Sequence, residues 1–308
     1  MKERCILVDP DYDLPFAIAY GKLTWFLWVP LDSSHRTWKK INEDLTVTQA
    51  YRGDRVVITA RNPSSEKLVE KLGLWYDAES LLSNQPREIK LLYNAYPIRF
   101  PKTETRDFEL LLAAAVLSPQ VSWEDNTNWI RALYLAFRNH IRRVADFEPD
   151  YLDHTLSENI SKLPLSKRIR IRKLGYHARV LVRAFQDYKD KFGSDSRNVL
   201  NLPPAEARLA LLRIYGIGPK VSMFIVQVTH GDLSAPCVDR HVYRIATDIG
   251  LLRPKMLPYK SSACLEHFSN CKTCPSNSIC GTYQLMRYNA SSLISALLYC
   301  FDSWVENI

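Results

Sequence analysis

Leu209-Ala-Leu-Leu-Arg-Ile-Tyr-Gly-Ile-Gly-Pro-Lys-Val-Ser-Met-Phe-Ile-Val-Gln-Val228 reads as two apolar helices joined by a very short turn. A helix from about Ala205 to Tyr215 is expected to stop at Gly216-Ile217-Gly218, and Pro219 to open the second helix, because its fixed φ and missing N–H suit a first helical position. Two glycines around one aliphatic residue let the backbone turn sharply while Ile217 plugs the space between the helices. The amides of Ile217 to Lys220 then lie at the positive end of the second helix, where an anion such as a phosphate binds. A contact of that kind reads nucleic-acid backbone and not base sequence.

The charge distribution agrees. The chain has 308 residues and a formal net charge of +8, yet residues 161–220 alone carry 14 basic and 4 acidic side chains. So localised an excess points to a polyanionic partner, nucleic acid or an anionic membrane surface. With 46% hydrophobic and 24% charged residues, the chain is ordinary for a globular protein and too apolar for a disordered one. Leu110 to Leu117, its longest uninterrupted apolar run, is far too short to span a bilayer, and the charged start at Lys2, Glu3 and Arg4 is unlike a signal peptide. An intracellular protein, in cytoplasm, nucleoid or nucleus, is expected.

Around the hairpin, composition changes along the chain. Residues 1–100 mix strand and helix: Thr24 to Val29 and Arg55 to Ala60 are rich in β-branched and aromatic residues, Tyr51-Arg-Gly-Asp54 is a turn between strands, and Ser64 to Leu72 is helical. From about Thr105 the apolar period is helical, with Phe108, Leu111, Leu112, Ala115 and Val116 on one face. The expected organisation is an α+β domain with an antiparallel sheet (1–100), a helical body (101–262) holding the helix-hairpin-helix at 205–229, a cysteine loop (263–282) and a closing helical segment (283–308), helical from about Ser291. The fold class is therefore mostly α with an α+β N-terminal domain.

Nineteen residues beyond Lys220 stands Asp239, in Ala235-Pro-Cys-Val-Asp-Arg-His-Val-Tyr-Arg244. A Gly-x-Gly hairpin followed at this distance by a loop ending in Asp resembles the helix-hairpin-helix DNA glycosylase superfamily. Leu174-Gly-Tyr-His-Ala178 is similar to the Leu-Gly-Tyr-Arg-Ala segment of 8-oxoguanine glycosylases. Ile98-Arg-Phe-Pro101, Phe108-Glu109 and Leu117-Ser-Pro-Gln-Val-Ser122 are similar to the first helices of that branch and of the alkylbase glycosylases. Taken singly, a lysine in a first turn is usually solvated and an Asp before a helix is usually an N-cap. Their order and spacing together carry the resemblance, which spans most of the chain.

The chemistry those residue types allow is independent of the family. Breaking an N-glycosidic bond leaves C1′ electron-poor, so a nearby carboxylate can stabilise the developing charge or orient a nucleophile. A lysine attacks C1′ only as the neutral amine, the form favoured at the positive end of a helix. Attack by Lys220 assisted by Asp239 gives a Schiff base with the opened sugar, followed by β-elimination of the 3′-phosphate. The resemblance implies a bifunctional base-excision-repair glycosylase and AP lyase acting on duplex DNA with a damaged base, 8-oxoguanine favoured, as a DNA-associated monomer with no membrane partner. A monofunctional glycosylase for alkylated or deaminated bases, and a non-catalytic redox-sensing DNA-binding protein, are the alternatives.

Resemblance also suggests the rest of the site. Gln120 falls where relatives fill the gap left by the extruded base; Gly216, Ile217, Gly218 and His241 would face phosphate. Phe224, one turn after Lys220, with Trp123 and Tyr176, is a candidate for the base pocket. In Lys167-Arg-Ile-Arg-Ile-Arg-Lys173, Arg168, Arg170, Arg172 and Lys173 are candidates for a DNA groove. Finally, Cys264-x6-Cys271-x2-Cys274-x5-Cys280 supplies four thiols within seventeen residues, a donor set for zinc or an iron-sulfur cluster that spacing physics does not separate. Similarity to the loop of endonuclease III and the adenine-mismatch glycosylases implies a [4Fe-4S] cluster of structural and DNA-positioning role. Cys5, Cys237 and Cys300 are expected to be buried small hydrophobes.

Overall fold

The computed structural model describes residues 3–8, 28–32, 34, 36–41, 44–52, 55–61, 68–95, 99, 102–119, 121–138, 140–161, 174–193, 195–234, 236–256, 261–267, 270–288 and 291–305. It divides into two compact units, Met1–Thr103 with His230–Ile308, and Glu104–Thr229.

The first unit opens with strands β1 (Glu3–Val8), β2 (Trp28–Pro30), β3 (Thr37–Lys40), β4 (Thr46–Arg52) and β5 (Arg55–Arg61). They form one sheet in the order β1-β5-β4-β3-β2, each neighbouring pair antiparallel. Arg52 pairs with Arg55 at the end of the β4–β5 register; of the turn expected at 51–54, residues 51 and 52 belong to β4 and residues 53 and 54 lie outside the described residues. Strand residues alternate across the pleat: Val47 and Gln49 are buried, while Thr46, Thr48 and Ala50 are partly exposed. Trp28, Trp38, Val47 and Ile58 are buried in this part of the molecule. Cys5 departs from expectation. It lies on the edge strand β1, opposite Thr59, and is exposed. Cys237 is half-buried, and the Cys300 side chain lies outside the described residues. Helices α1 (Leu68–Lys71), α2 (Ala78–Leu82) and α3 (Arg87–Ala95) follow; of the helix expected at 64–72, residues 64–67 lie outside the described residues.

The second unit holds α4 (Phe108–Leu117), α5 (Trp123–Phe137), α6 (Pro149–Ser161), α7 (Tyr176–Phe192), α8 (Arg197–Leu200), α9 (Pro204–Leu211) and α10 (Pro219–His230). The periodicity of α4 suggests an apolar stripe, but the structure buries every residue from Leu110 to Leu117. A helix apolar on all sides belongs in the middle of its layer, and α4 packs against α5 and α7. Its one partly exposed residue, Glu109, accepts from the Arg142 amide at 3.2 Å and lies 3.8 Å from the Arg142 Nε. Burial nonetheless raises the Glu109 carboxyl above its ordinary value.

The chain then returns to the first unit with α11 (Arg240–Asp248), α12 (Ser261–Glu266), α13 (Gly281–Leu285) and α14 (Ser291–Val305), which begins where the sequence suggests. Leu293, Ile294, Leu297 and Leu298 of α14 share a core with Ala78, Leu82, Ile89 and Tyr93 of α2 and α3 and with Val238, Val242 and Ala246 at α11. Side chains of this kind contribute about 1.5–3 kcal/mol each when fully buried, so α14 is a principal support of α11. Among the described residues no helix is long and apolar enough to cross a membrane.

Candidate active site

Gly216 has φ +79°, a region only glycine enters freely, and a Cβ there would lie 2.8 Å from Cγ1 of Val180 on α7. The first glycine of the hairpin is thus required twice, by its backbone and by the close approach of α7. Gly218 has ordinary φ and open space where its Cβ would stand, and its carbonyl accepts from the Ser222 amide at 2.9 Å to start α10. Ile217 is buried, as a plug should be, and its amide is spent on the Ile214 carbonyl at 3.2 Å. Pro219 has no N–H. Ile217 and Pro219 therefore drop out of the expected run of anion-binding amides.

The helix before the hairpin ends at Leu211, not at Tyr215. Residues 212–215 form tight turns, with Arg213 N–H to the Ala210 carbonyl and Ile214 N–H to the Leu211 carbonyl. Asp187 of α7 takes the next amide: its carboxylate accepts from Tyr215 N–H at 2.9 Å. The same carboxylate lies 3.3 Å from the Arg183 Nε and 3.5 Å from the Lys191 Nζ, and Lys191 donates to the Arg213 carbonyl. A second carboxylate anchors the start of α7. Asp153 of α6 accepts from the amides of Leu174 and Gly175, at 2.8 and 3.4 Å, and Gly175 takes φ +51°. Sequence reading missed both aspartates; each sits on the helix facing the turn it holds, a relation that pattern along the chain does not contain.

Lys220 is the second residue of α10. From Pro219 to Val228 every residue is buried except Lys220 and Phe224, which stand one turn apart and so share the helix's open face. Tyr176, first in α7, is 63% exposed, and its ring meets His177 edge-on at 5.8 Å. His177 in turn lies 5.5 Å from Trp129, which is buried as core. Trp123 opens α5 behind the N-cap Ser122, and its side chain lies outside the described residues. Gln120, Arg168, Arg170, Arg172 and Lys173 also lie outside them.

Asp239 belongs to the other unit. It is the N-cap of α11, where Oδ1 accepts from the amides of His241 and Val242 at 3.0 Å each. The loop before it is tied to α14 by serines. Ser291 Oγ donates to the Ser234 carbonyl and Ser292 Oγ to the Asp232 carbonyl, both at 2.9 Å; Ser295 Oγ accepts from Cys237 N–H at 3.2 Å. All three serines are buried. His241 is half-buried, and its Nε2 accepts from Arg240 Nε at 3.2 Å.

Cys264 lies in α12, Cys271 and Cys274 in the turns that follow, and Cys280 at the start of α13; all four are half-buried. Four thiols are the donor chemistry of zinc and iron-sulfur sites. In this structure, however, no three Cys, His, Asp or Glu side chains among the described residues come together as a metal site.

The architecture has well-defined relatives. It is similar to an 8-oxoguanine glycosylase/lyase from Clostridium acetobutylicum in complex with double-stranded DNA containing cytosine opposite 8-oxoguanine, with TM-score 0.68 and 16% identity, covering 100% of this chain and 98% of that one. The apo form of that protein gives 0.62 at 16% identity, over 98% and 97% of the two chains. A 3-methyladenine DNA glycosylase from Archaeoglobus fulgidus gives 0.57 at 15% identity, over 100% of both chains. The chain has the helix-hairpin-helix DNA glycosylase fold. No family model matches the sequence, and the search of curated proteins finds no match. Within this fold the hairpin at Gly216 to Gly218 and the loop ending at Asp239 are the two local structures that the sequence singles out.

Proposed function

We propose that the protein is a base-excision-repair DNA glycosylase with AP lyase activity, acting on duplex DNA that carries an oxidised base, 8-oxoguanine favoured. The observation that carries this reading is Lys220: a lysine in the first turn after a Gly-Ile-Gly hairpin, one turn from Phe224, the two being the partly exposed residues in the otherwise buried stretch from Pro219 to Val228. A solvated surface lysine needs no such neighbourhood, and DNA binding alone needs no amine nucleophile. Support also comes from the likeness to a glycosylase/lyase over nearly the full length of both chains.

In the reaction, the hairpin and His241 are the groups offered to backbone phosphates, and Phe224 to the extruded base. The neutral ε-amine of Lys220 attacks C1′ as the N-glycosidic bond breaks, and the base leaves with the bonding pair and takes up a proton. Asp239 stabilises the positive charge that develops at C1′ and orients the attack. The sugar ring opens to a protonated Schiff base. Loss of a C2′ proton then expels the 3′-phosphate, cleaving the strand. Hydrolysis frees Lys220.

The cysteine loop is read as the site of a [4Fe-4S] cluster that stiffens the loop without entering the chemistry. Thiolates repel one another until metal neutralises them, so closure of the four donors is coupled to binding. Protein purified without oxygen should contain about four iron and four sulfide per chain. One zinc per chain would replace this reading with a zinc knuckle, and neither metal would remove it.

A panel of duplexes, each with one lesion, tests the function as a whole. Strand cleavage without alkali is expected, and strongest for 8-oxoguanine. Base release that leaves intact abasic strands would establish a monofunctional enzyme instead.

A further inference from the structure

Beside the hairpin lies an open hollow of about 510 Å³ lined by Tyr176, Arg179, Val180, Arg183 and Tyr215. Four of these are one face of α7, at intervals of three, one and three residues, and the fifth is the last residue before Gly216. We propose that this hollow is a second DNA-backbone subsite, in which Arg179 and Arg183 take phosphates of the strand that passes the hairpin and Tyr176 and Tyr215 flank the intervening sugar. The proposal rests on the reading of the protein as a DNA-acting enzyme and adds a site to it.

Three features favour a nucleic-acid strand over a small molecule. The hollow is open to solvent, whereas a small-molecule site encloses most of its ligand. Its two tyrosines are 63% and 49% exposed, a large aromatic surface for a monomer to leave uncovered. The spacing of its cations also fits: Arg179 and Arg183 stand about one turn apart on α7, about 6 Å along the helix axis, room for two neighbouring phosphates with one sugar between them.

The site is also built in advance. Asp187, whose side chain is only 15% exposed, holds both walls: it binds Arg183 through Nε and fixes Tyr215 through the backbone amide. Binding through Nε leaves the four terminal N–H donors of Arg183 for an anion. One carboxylate thus sets the arginine, the tyrosine and the lead into the hairpin together, so that phosphates at the hollow and at Gly218 would be met by groups in fixed relation.

Affinity for undamaged duplex, measured by anisotropy over a salt series, tests this without involving base release. Arg179→Ala/Arg183→Ala should lower the slope of log K against log salt by about 0.9 for each phosphate that is no longer neutralised. Asp187→Asn keeps an acceptor for Tyr215 N–H but not the charge that holds Arg183, and should weaken binding less than the double variant. Arg87→Ala, the loss of one exposed arginine outside the hollow, is the reference for removal of a surface cation as such. Because both arginines are exposed, thermal midpoints should match wild type. A double variant whose slope falls no further than that of Arg87→Ala would overturn the subsite alone. A wild-type protein without affinity for duplex would overturn it together with the functional reading.

Discussion

The two glycines of the hairpin make different demands, and substitution separates them. Gly216→Ala places a Cβ against Val180 at a left-handed backbone position, and should destabilise the fold by roughly 1–3 kcal/mol, seen as a lower chemical-denaturation midpoint. Gly218→Ala meets open space and should fold normally, yet its methyl group stands where an anion approaches; weaker DNA binding at unchanged stability is the expected result, and unchanged binding would remove the hairpin as a phosphate site. Asp239 divides in the same way. Asparagine caps a helix about as well as aspartate, so Asp239→Asn should leave stability near wild type while abolishing base release, whereas a variant that lost stability and activity in parallel would mark Asp239 as a cap only. Glu109 makes a prediction about pH. Its folded carboxyl titrates above the unfolded one because burial disfavours the charge, so its contribution to stability is complete below the unfolded value and is lost as pH rises through the folded value. Glu109→Gln removes that dependence, and the variant's stability should fall less than that of wild type as pH is raised from about 4.5 toward neutral.

At the scale of elements, the hairpin and the Asp239 loop are each held from outside by side chains that local pattern does not reveal. Asp187 and Asp153 fix the turns around α7, and three buried serines of α14 fix the loop that ends in Asp239. Ser295→Ala removes the acceptor of the Cys237 amide, two residues before Asp239, and should cost about 1–3 kcal/mol and lower kcat with little change in DNA affinity. Equal loss of kcat and affinity would instead indicate general loosening of the unit. The elements themselves were readable where chemistry is local. Pro219 marks the start of α10, the β-branched run from Arg55 to Ala60 marks β5, and Ser291 marks α14. Reading failed where tertiary contact decides. The helix before the hairpin stops at Leu211 because its last turn gives way to tight turns whose next amide goes to Asp187, and α4 is buried on all sides though its sequence suggests a stripe. Cys5, on the edge strand β1, is exposed, which composition does not show.

Over the whole molecule, the positive excess of residues 161–220 includes Arg179, Arg183 and Lys220, so the most basic stretch of the chain supplies both the hollow and the proposed nucleophile. Pattern within the sequence supplied the residue types and their order. Only the fold shows that Lys220 and Phe224 alone interrupt the buried surface from Pro219 to Val228, which turns a common residue type into a candidate nucleophile. The central claim is that this lysine becomes covalently attached to DNA during turnover, and borohydride trapping on an 8-oxoguanine duplex tests it directly. The wild-type protein should yield a stable protein–DNA adduct and Lys220→Gln none, while the variant keeps wild-type affinity for the duplex. Base release by the wild-type protein with no trapped adduct, or an adduct that persists in Lys220→Gln, would contradict the account.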